Sequence, residues 1–372
     1  MEIYQDGLKE LFEYRLEVVK SMNAKNYHDK TDIENQLKLR EIMKGLPDFC
    51  KTFFRGIEPT TASRTRMAYA YDLTVFFNFI KDANPKYAVM DIKEFPINIL
   101  DELKVVDIEE YLEYLKVYTK DESLHTNRET GIKRKLSSLK SFYNYYYVNE
   151  MINENPASKV KVPKLHEKEI IRLDPDEVAD LLDMVESGEK LTDTQKSYHK
   201  KTKVRDVAIM TLLLGTGIRV SECVGIDIND IDFKNTGIKI RRKGGYETII
   251  YFGDEVEKAL IDYYNERKDI TPVSGHEDAF FLSIQKKRMS VRSIEKLVGK
   301  YSQLVTQLKH ITPHKLRSTY GTSLYRETGD IYLVADVLGH KDVNTTRKHY
   351  AAQEDERKWK ARNAVKLREE NF

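Results

Sequence analysis

Around residues 156–172 the stretch PASKVKVPKLHEKEIIRL breaks the periodicity on either side of it. Pro156 and Pro163 push their preceding residues toward extended backbone, and no apolar spacing of a helix survives between them. We read residues 158–172 as a linker. It carries Lys159, Lys161, Lys164 and Lys168, so it suits a strap along a phosphate backbone, although a plain tether satisfies the same pattern. The break separates two parts of different character. Residues 1–55 are polar with heptad-like apolar positions (Leu8, Leu11, Phe12, Leu16, Val19), a helical N-terminal extension. Residues 56–157 read as helices with no convincing strand. Phe76, Phe77, Phe79 and Ile80 form one stripe, Ile108, Tyr111, Leu112 and Leu115 a second, and Ile132, Leu136, Leu139 and Phe142 a third. Such stripes are helical core.

From about 173 the pattern is mixed. Asp174 is placed to cap a helix with Pro175 at its first position. A polar insert at 186–201 precedes the apolar helix VAIMTLLL. The alternating segments GIKIRR and ETIIYF flank Gly244-Gly245, the signature of a β-hairpin. The mixed part runs to 353, and a charged tail helix, 354–372, has an apolar minority of Trp359, Ala364, Val365 and Leu367.

Composition narrows the classes. The 372 residues suffice for two or three domains. No run approaches the roughly eighteen apolar residues of a membrane span, and the N-terminus has no secretory apolar block. Cys50 and Cys223 are too few for a disulfide framework or a cysteine metal site. A cytosolic chain fits. The net charge of +2 means that a nucleic-acid surface must come from segregation of charge. Residues 125–170 show one local excess, nine Lys/Arg against five Asp/Glu, which a solvated helix face would show as well.

Four short motifs carry chemistry. In GTGIRVSEC, Gly215 and Gly217 make a tight turn, Arg219 opens a helix, and Glu222 three residues on can orient its guanidinium. Cys223 there is a small buried residue. Lys243 immediately precedes the hairpin glycines, next to Arg241 and Arg242. In TPHKLRSTY, His314 and Arg317 lie three apart on one helical face, while Leu316, Tyr320 and Leu324 make the buried face. Arginine grips two phosphate oxygens, and histidine moves a proton near neutral pH. Finally, in LGHKDVNTTRKHY a helix ends at Leu338, Gly339 caps it, His340 follows, and Tyr350 is the last tyrosine of the chain.

In this order and spacing, Arg219, Lys243, His314, Arg317, His340 and Tyr350 strongly resemble the catalytic set of the tyrosine recombinases, Xer proteins and phage or transposon integrases included. The resemblance covers about residues 60–352 and is densest over 204–352. It implies an all-α core-binding (SAM-like) domain followed by a mixed α+β catalytic domain. It also implies that Tyr350 is a covalent nucleophile and Lys243 a general acid toward the 5′ oxygen. Glu222 would support Arg219. Tyr350 follows His340 by ten positions, one more than in some members. No metal or other cofactor is expected, because the phosphotyrosine conserves the bond energy.

Candidate DNA contacts outside this set are Arg64, Arg66, Asn127, Arg128, Lys133, Lys135, Lys159, Lys161, Arg241 and Arg242. The implied partners are double-stranded DNA and three further copies of the chain, a homotetramer on two sites, with the tail docking onto a neighbour. The long N-terminal segment and the insert tilt the role toward integration and excision of a mobile element. Xer-type dimer resolution shares the chemistry. Competing readings are a type IB topoisomerase, whose pattern lacks the Leu-Gly-His–Thr-Thr–Tyr run, and an idle DNA-binding protein on the same fold.

Overall fold

The computed structural model describes residues 27–120, 122–164, 171–242, 244–340 and 343. The apolar positions read before residue 27, the tail helix, Lys243 and Tyr350 lie outside these residues. The chain divides into two compact units, Met1–Glu167 and Lys168–Phe372. The division falls inside the proline-broken stretch.

The first unit is helical: α1 Tyr27–Met43, α2 Cys50–Ile57, α3 Ser63–Ala83, α4 Val105–Tyr114 and α5 Glu129–Val148, with several single-turn helices between them. The three apolar stripes turn inward as their spacing requires. Phe53, Phe76, Phe77, Tyr111, Phe142 and Tyr146 are each at most 2% exposed. Their rings meet edge to face, Phe142 lying 5.0 Å from both Phe53 and Tyr146, the arrangement that ring quadrupoles favour. Each buried ring contributes about 2–3 kcal/mol by burial.

Two expectations are corrected here. The boundary near residue 55 falls within α2, and Leu39, Leu46, Cys50, Phe53 and Phe54 join the same core as α3 to α5. From Tyr27 onward the extension is therefore part of the domain. The region also contains strands, β1 Val117–Lys120 paired antiparallel with β2 Ser123–Thr126. Glu122 supplies a positive φ of 59° at the turn. The hairpin is short, β2 is exposed throughout and β1 buries Tyr118 alone among its described side chains, too little of the half-buried alternation by which strands are recognised.

The second unit begins with α6 Pro175–Ser187, where Glu177 Oε2 accepts the backbone N–H of Asp174 at 2.8 Å, and ends it on Gly188 at φ 63°. The long helix α7, Asp193–Thr216, then runs from a Thr192/Gln195 capping box to Gly217. Much of the expected polar insert is thus the first turns of the VAIMTLLL helix. Its apolar end is the core of the unit: Ile209, Leu212 and Leu213 are at most 1% exposed, as are Leu260, Ile294 and Leu316 on other helices. After α8 Val220–Gly225, three antiparallel strands follow in the order β3 Ile231–Asp232, β4 Gly237–Arg241, β5 Glu247–Tyr251. The β4–β5 register pairs Ile238 with Ile250 and Arg241 with Glu247. Helices α9 Asp254–Lys268, α10 Val291–Val305, α11 Pro313–Thr328 and α12 Ile331–Leu338 follow among the described residues of the unit. No helix among the described residues is long and apolar enough to cross a membrane.

Candidate active site

The site is assembled at the C-terminal end of α12. The last carbonyls of a helix have no partner within it and carry its negative pole. Here three arginines from three distant segments supply the donors. Arg242 Nη2 donates to the Val337 carbonyl at 2.8 Å, Arg317 Nη2 to that of Leu338, and Arg219 Nη2 to that of Gly339 at 3.2 Å. Arg317 Nη1 also donates to the Gly217 carbonyl at 2.6 Å. One guanidinium therefore fastens the turn after α7 to the end of α12.

Both turns depend on glycine. Gly217 has φ 60°, and a Cβ there would lie 2.5 Å from Tyr320 Cδ1 and 3.0 Å from Leu338 Cδ2. Gly215, expected to share this turn, is still helical in α7. Gly339 has φ 61°; its N–H bonds Asp336 O at 2.8 Å and that of His340 bonds Ala335 O at 2.9 Å. This is the Schellman pattern. It holds the backbone of His340 at the arginine cluster.

Glu222 supports Arg219 twice. Its Oε1 accepts from Arg219 Nη1 at 2.8 Å and its Oε2 from the backbone N–H at 2.9 Å. The carboxylate is 4% exposed while the Arg219 side chain is 31% exposed, so the pair offers solvent a cation held from beneath. The named contacts contain three guanidiniums and one carboxylate, an environment that favours an anion. At the start of α11, His314 is exposed one turn before the buried Arg317. Arg219, Glu222 and Arg317 are thus brought to one place with the turn that bears His340, and Cys223 beside them is fully buried.

The expected DNA contacts divide sharply. Arg64, Arg128, Lys133, Lys159 and Lys161 are exposed, and Arg241 is half-buried. Arg66, Lys135, Asn127 and Arg242 instead donate to groups of the chain itself. Arg66, 5% exposed, donates to the carbonyls of Glu58 (3.0 Å) and Thr61 (2.6 Å). Lys135, 9% exposed, donates to Asn127 Oδ1 at 3.3 Å, while Asn127 Nδ2 binds the Leu115 carbonyl at 2.7 Å. Arg242, 6% exposed, binds the end of α12. Strand alternation could have placed Arg242: it follows Ile238 and Ile240, both buried, on the same face. Its partner, 95 residues away, could not be read from the sequence.

Comparison with known proteins agrees with this architecture. The sequence model of the phage integrase family matches residues 172–357. The tyrosine recombinase XerC of Caldanaerobacter subterraneus subsp. tengcongensis is 34% identical over 294 residues, 76% of this chain and 76% of the relative. The tyrosine recombinase XerS of Streptococcus uberis is 31% identical over 349 residues, 86% of this chain and 96% of the relative. Among solved structures, the Tn1549 transposon integrase in complex with transposon right end DNA is similar with a TM-score of 0.58 and 21% identity, over 85% of this chain and 99% of that one. The XerH site-specific recombinase bound to palindromic difH substrate gives 0.57 and 18%, over 81% and 79%. At such identities the structural likeness speaks for the fold, a helical N-terminal domain followed by a catalytic domain.

Proposed function

This chain belongs to the phage integrase family of tyrosine recombinases and is a site-specific DNA recombinase, and from that premise we propose that Tyr350 is the residue that breaks and rejoins the strand. The observation that supports the assignment is the convergence of Arg219 and Arg317 on the turn that leads into His340. A phosphodiester resists attack because negative charge grows on its non-bridging oxygens, and fixed cations offset that growth. Arg219 and Arg317 are the cations, and His314 and His340 donate hydrogen bonds to the phosphate or to the attacking oxygen.

The Tyr350 hydroxyl passes its proton to His314 or His340 as its oxygen attacks phosphorus, and the bond to the 5′ oxygen breaks. That oxygen leaves with a proton from Lys243, and a 3′-phosphotyrosine remains. A 5′-hydroxyl of the partner duplex then gives its proton back to Lys243 and attacks the same phosphorus, and tyrosine departs with the proton the histidine had taken. Two duplexes call for four protomers, with residues 356–372 docking onto a neighbour. The biological role we favour is Xer-type resolution of chromosome or plasmid dimers. The long N-terminal segment and the 186–201 insert tilt toward integration and excision of a mobile element, and the similarity to XerS over 96% of that relative offsets the argument from length. Element ends or direct repeats in the DNA flanking the gene would reverse this preference.

The test uses a duplex selected by the protein from a random-sequence pool and nicked beside the scissile position. Tyr350→Phe should bind it as wild type does and form no covalent protein–DNA adduct. An adduct from that variant removes Tyr350 from the role.

A further inference from the structure

Arg242 stands out among the buried polar residues. Its guanidinium is the one group of the arginine cluster that arrives from the β4–β5 hairpin. Nη2 donates to the Val337 carbonyl at 2.8 Å. Nη1 is buried and has no acceptor among the described residues. The group lies directly on Gly339, where an added Cβ would stand 1.7 Å from Nη1. A buried guanidinium with a donor idle is a poor way to stabilise a fold, since an apolar side chain of similar volume fills such a place at less cost. Its position suggests another use.

The backbone of Arg242 also ends the strand pairing. Its N–H donates to the Tyr246 carbonyl at 2.9 Å, and its carbonyl accepts from Gly245 N–H at 3.0 Å. Lys243 is the next residue in the chain. The side chain of Arg242 therefore ties the last paired position before Lys243 to the end of α12, two residues before Gly339 and three before His340.

We propose that Arg242 is a positioning residue that latches the hairpin end bearing Lys243 onto the turn bearing His340, and so aims the lysine at the leaving 5′ oxygen. The proposal rests on the assignment of Lys243 as the acid. It gives Arg242 a role in one half of the reaction only, departure of the 5′ oxygen, and none in attack by Tyr350 or in holding the phosphate.

That restriction makes it testable. Cleavage is measured on the selected duplex in two forms, one with an ordinary phosphate and one with a 5′-bridging phosphorothiolate, whose sulfur leaves without protonation. Arg242→Met should slow cleavage of the ordinary substrate by about ten- to hundredfold, the scale of a misplaced general acid. It should leave the phosphorothiolate rate within about threefold and binding unchanged. Arg242→Lys, which keeps a charged donor, should show the same selectivity with a smaller loss, and it decides the matter if Arg242→Met does not fold. In a Lys243→Ala background, Arg242→Met should add nothing, because both changes remove the same acid. Equal loss on both substrates, no loss on either, or an additive double variant overturns the latch. A wild-type protein that forms no adduct on the ordinary duplex overturns the assignment of the reaction itself, a different result from the others.

Discussion

Cys223 lies four residues beyond Arg219, yet its thiol is fully buried and burial pushes its pKa up to about 12. At pH 8 roughly one molecule in ten thousand then carries the thiolate, the reactive form. Burial likewise raises Cys50, which is 1% exposed. A thiol-specific dye at pH 8 should therefore label neither cysteine of the native protein, and both after unfolding in urea. Rapid labelling of the native protein at Cys223 would contradict the packing beneath Arg219. At this scale the sequence was informative where a residue type and its neighbours suffice. A cysteine among apolar positions and an arginine three before a glutamate sit as their spacing suggests, whereas His314 and Arg317 part company: His314 is exposed, and Arg317 is buried with both Nη atoms on backbone carbonyls. Arg66, Lys135 and Arg242 were not readable in this way, because the same side chain serves a phosphate or a stray carbonyl. Which one it meets is decided by chain segments brought close only in the folded state.

Gly217 shows what an element boundary must satisfy. The helix α7 ends there in the left-handed region, and the space above the α-carbon is taken by Tyr320 and Leu338. Gly217→Ala adds about 1–2 kcal/mol of backbone strain and a clash besides. A loss of stability near 2 kcal/mol or more is expected from urea unfolding, with cleavage reduced further because the Gly217 carbonyl holds Arg317. Gly299 provides the contrast. It lies within α10 and a Cβ there meets nothing within 4 Å, so Gly299→Ala should stabilise by about 0.5–1 kcal/mol. Equal urea midpoints for the two variants would sink this account. The helical stripes, both glycine stops and the β4–β5 hairpin were readable because each has a local cause. The β1–β2 hairpin was not, because Tyr118 is the one buried side chain among its described positions and a single buried residue imposes no alternation. The start of α7 was hidden for a related reason, since polar residues on a solvated turn look like a loop until the cap at Thr192 is seen.

For the whole molecule, a charge of +2 on 372 residues leaves DNA affinity to the placement of cations rather than to their number. Burial sorts those of the first unit. Arg64, Arg128, Lys133 and Lys161 are exposed, Lys159 is exposed but 3.7 Å from Glu154, and Arg66 and Lys135 are enclosed. Each side chain that meets a phosphate displaces a condensed counterion, so the slope of log affinity against log salt becomes shallower by about 0.9 for every such contact removed. Replacing Arg64, Arg128, Lys133 and Lys161 together by Gln should weaken binding to any duplex and flatten that slope. Unfolding in urea should be nearly unchanged, as it usually is for surface positions away from a packed feature. Arg66→Gln should do the reverse. It leaves the carbonyls of Glu58 and Thr61 without a charged donor and lowers stability by roughly 1–3 kcal/mol, while the salt slope of the protein that remains folded stays as in wild type. A quadruple variant with an undiminished slope would show that the helical unit meets DNA through other side chains, and a flattened slope in Arg66→Gln would place that guanidinium on a phosphate after all.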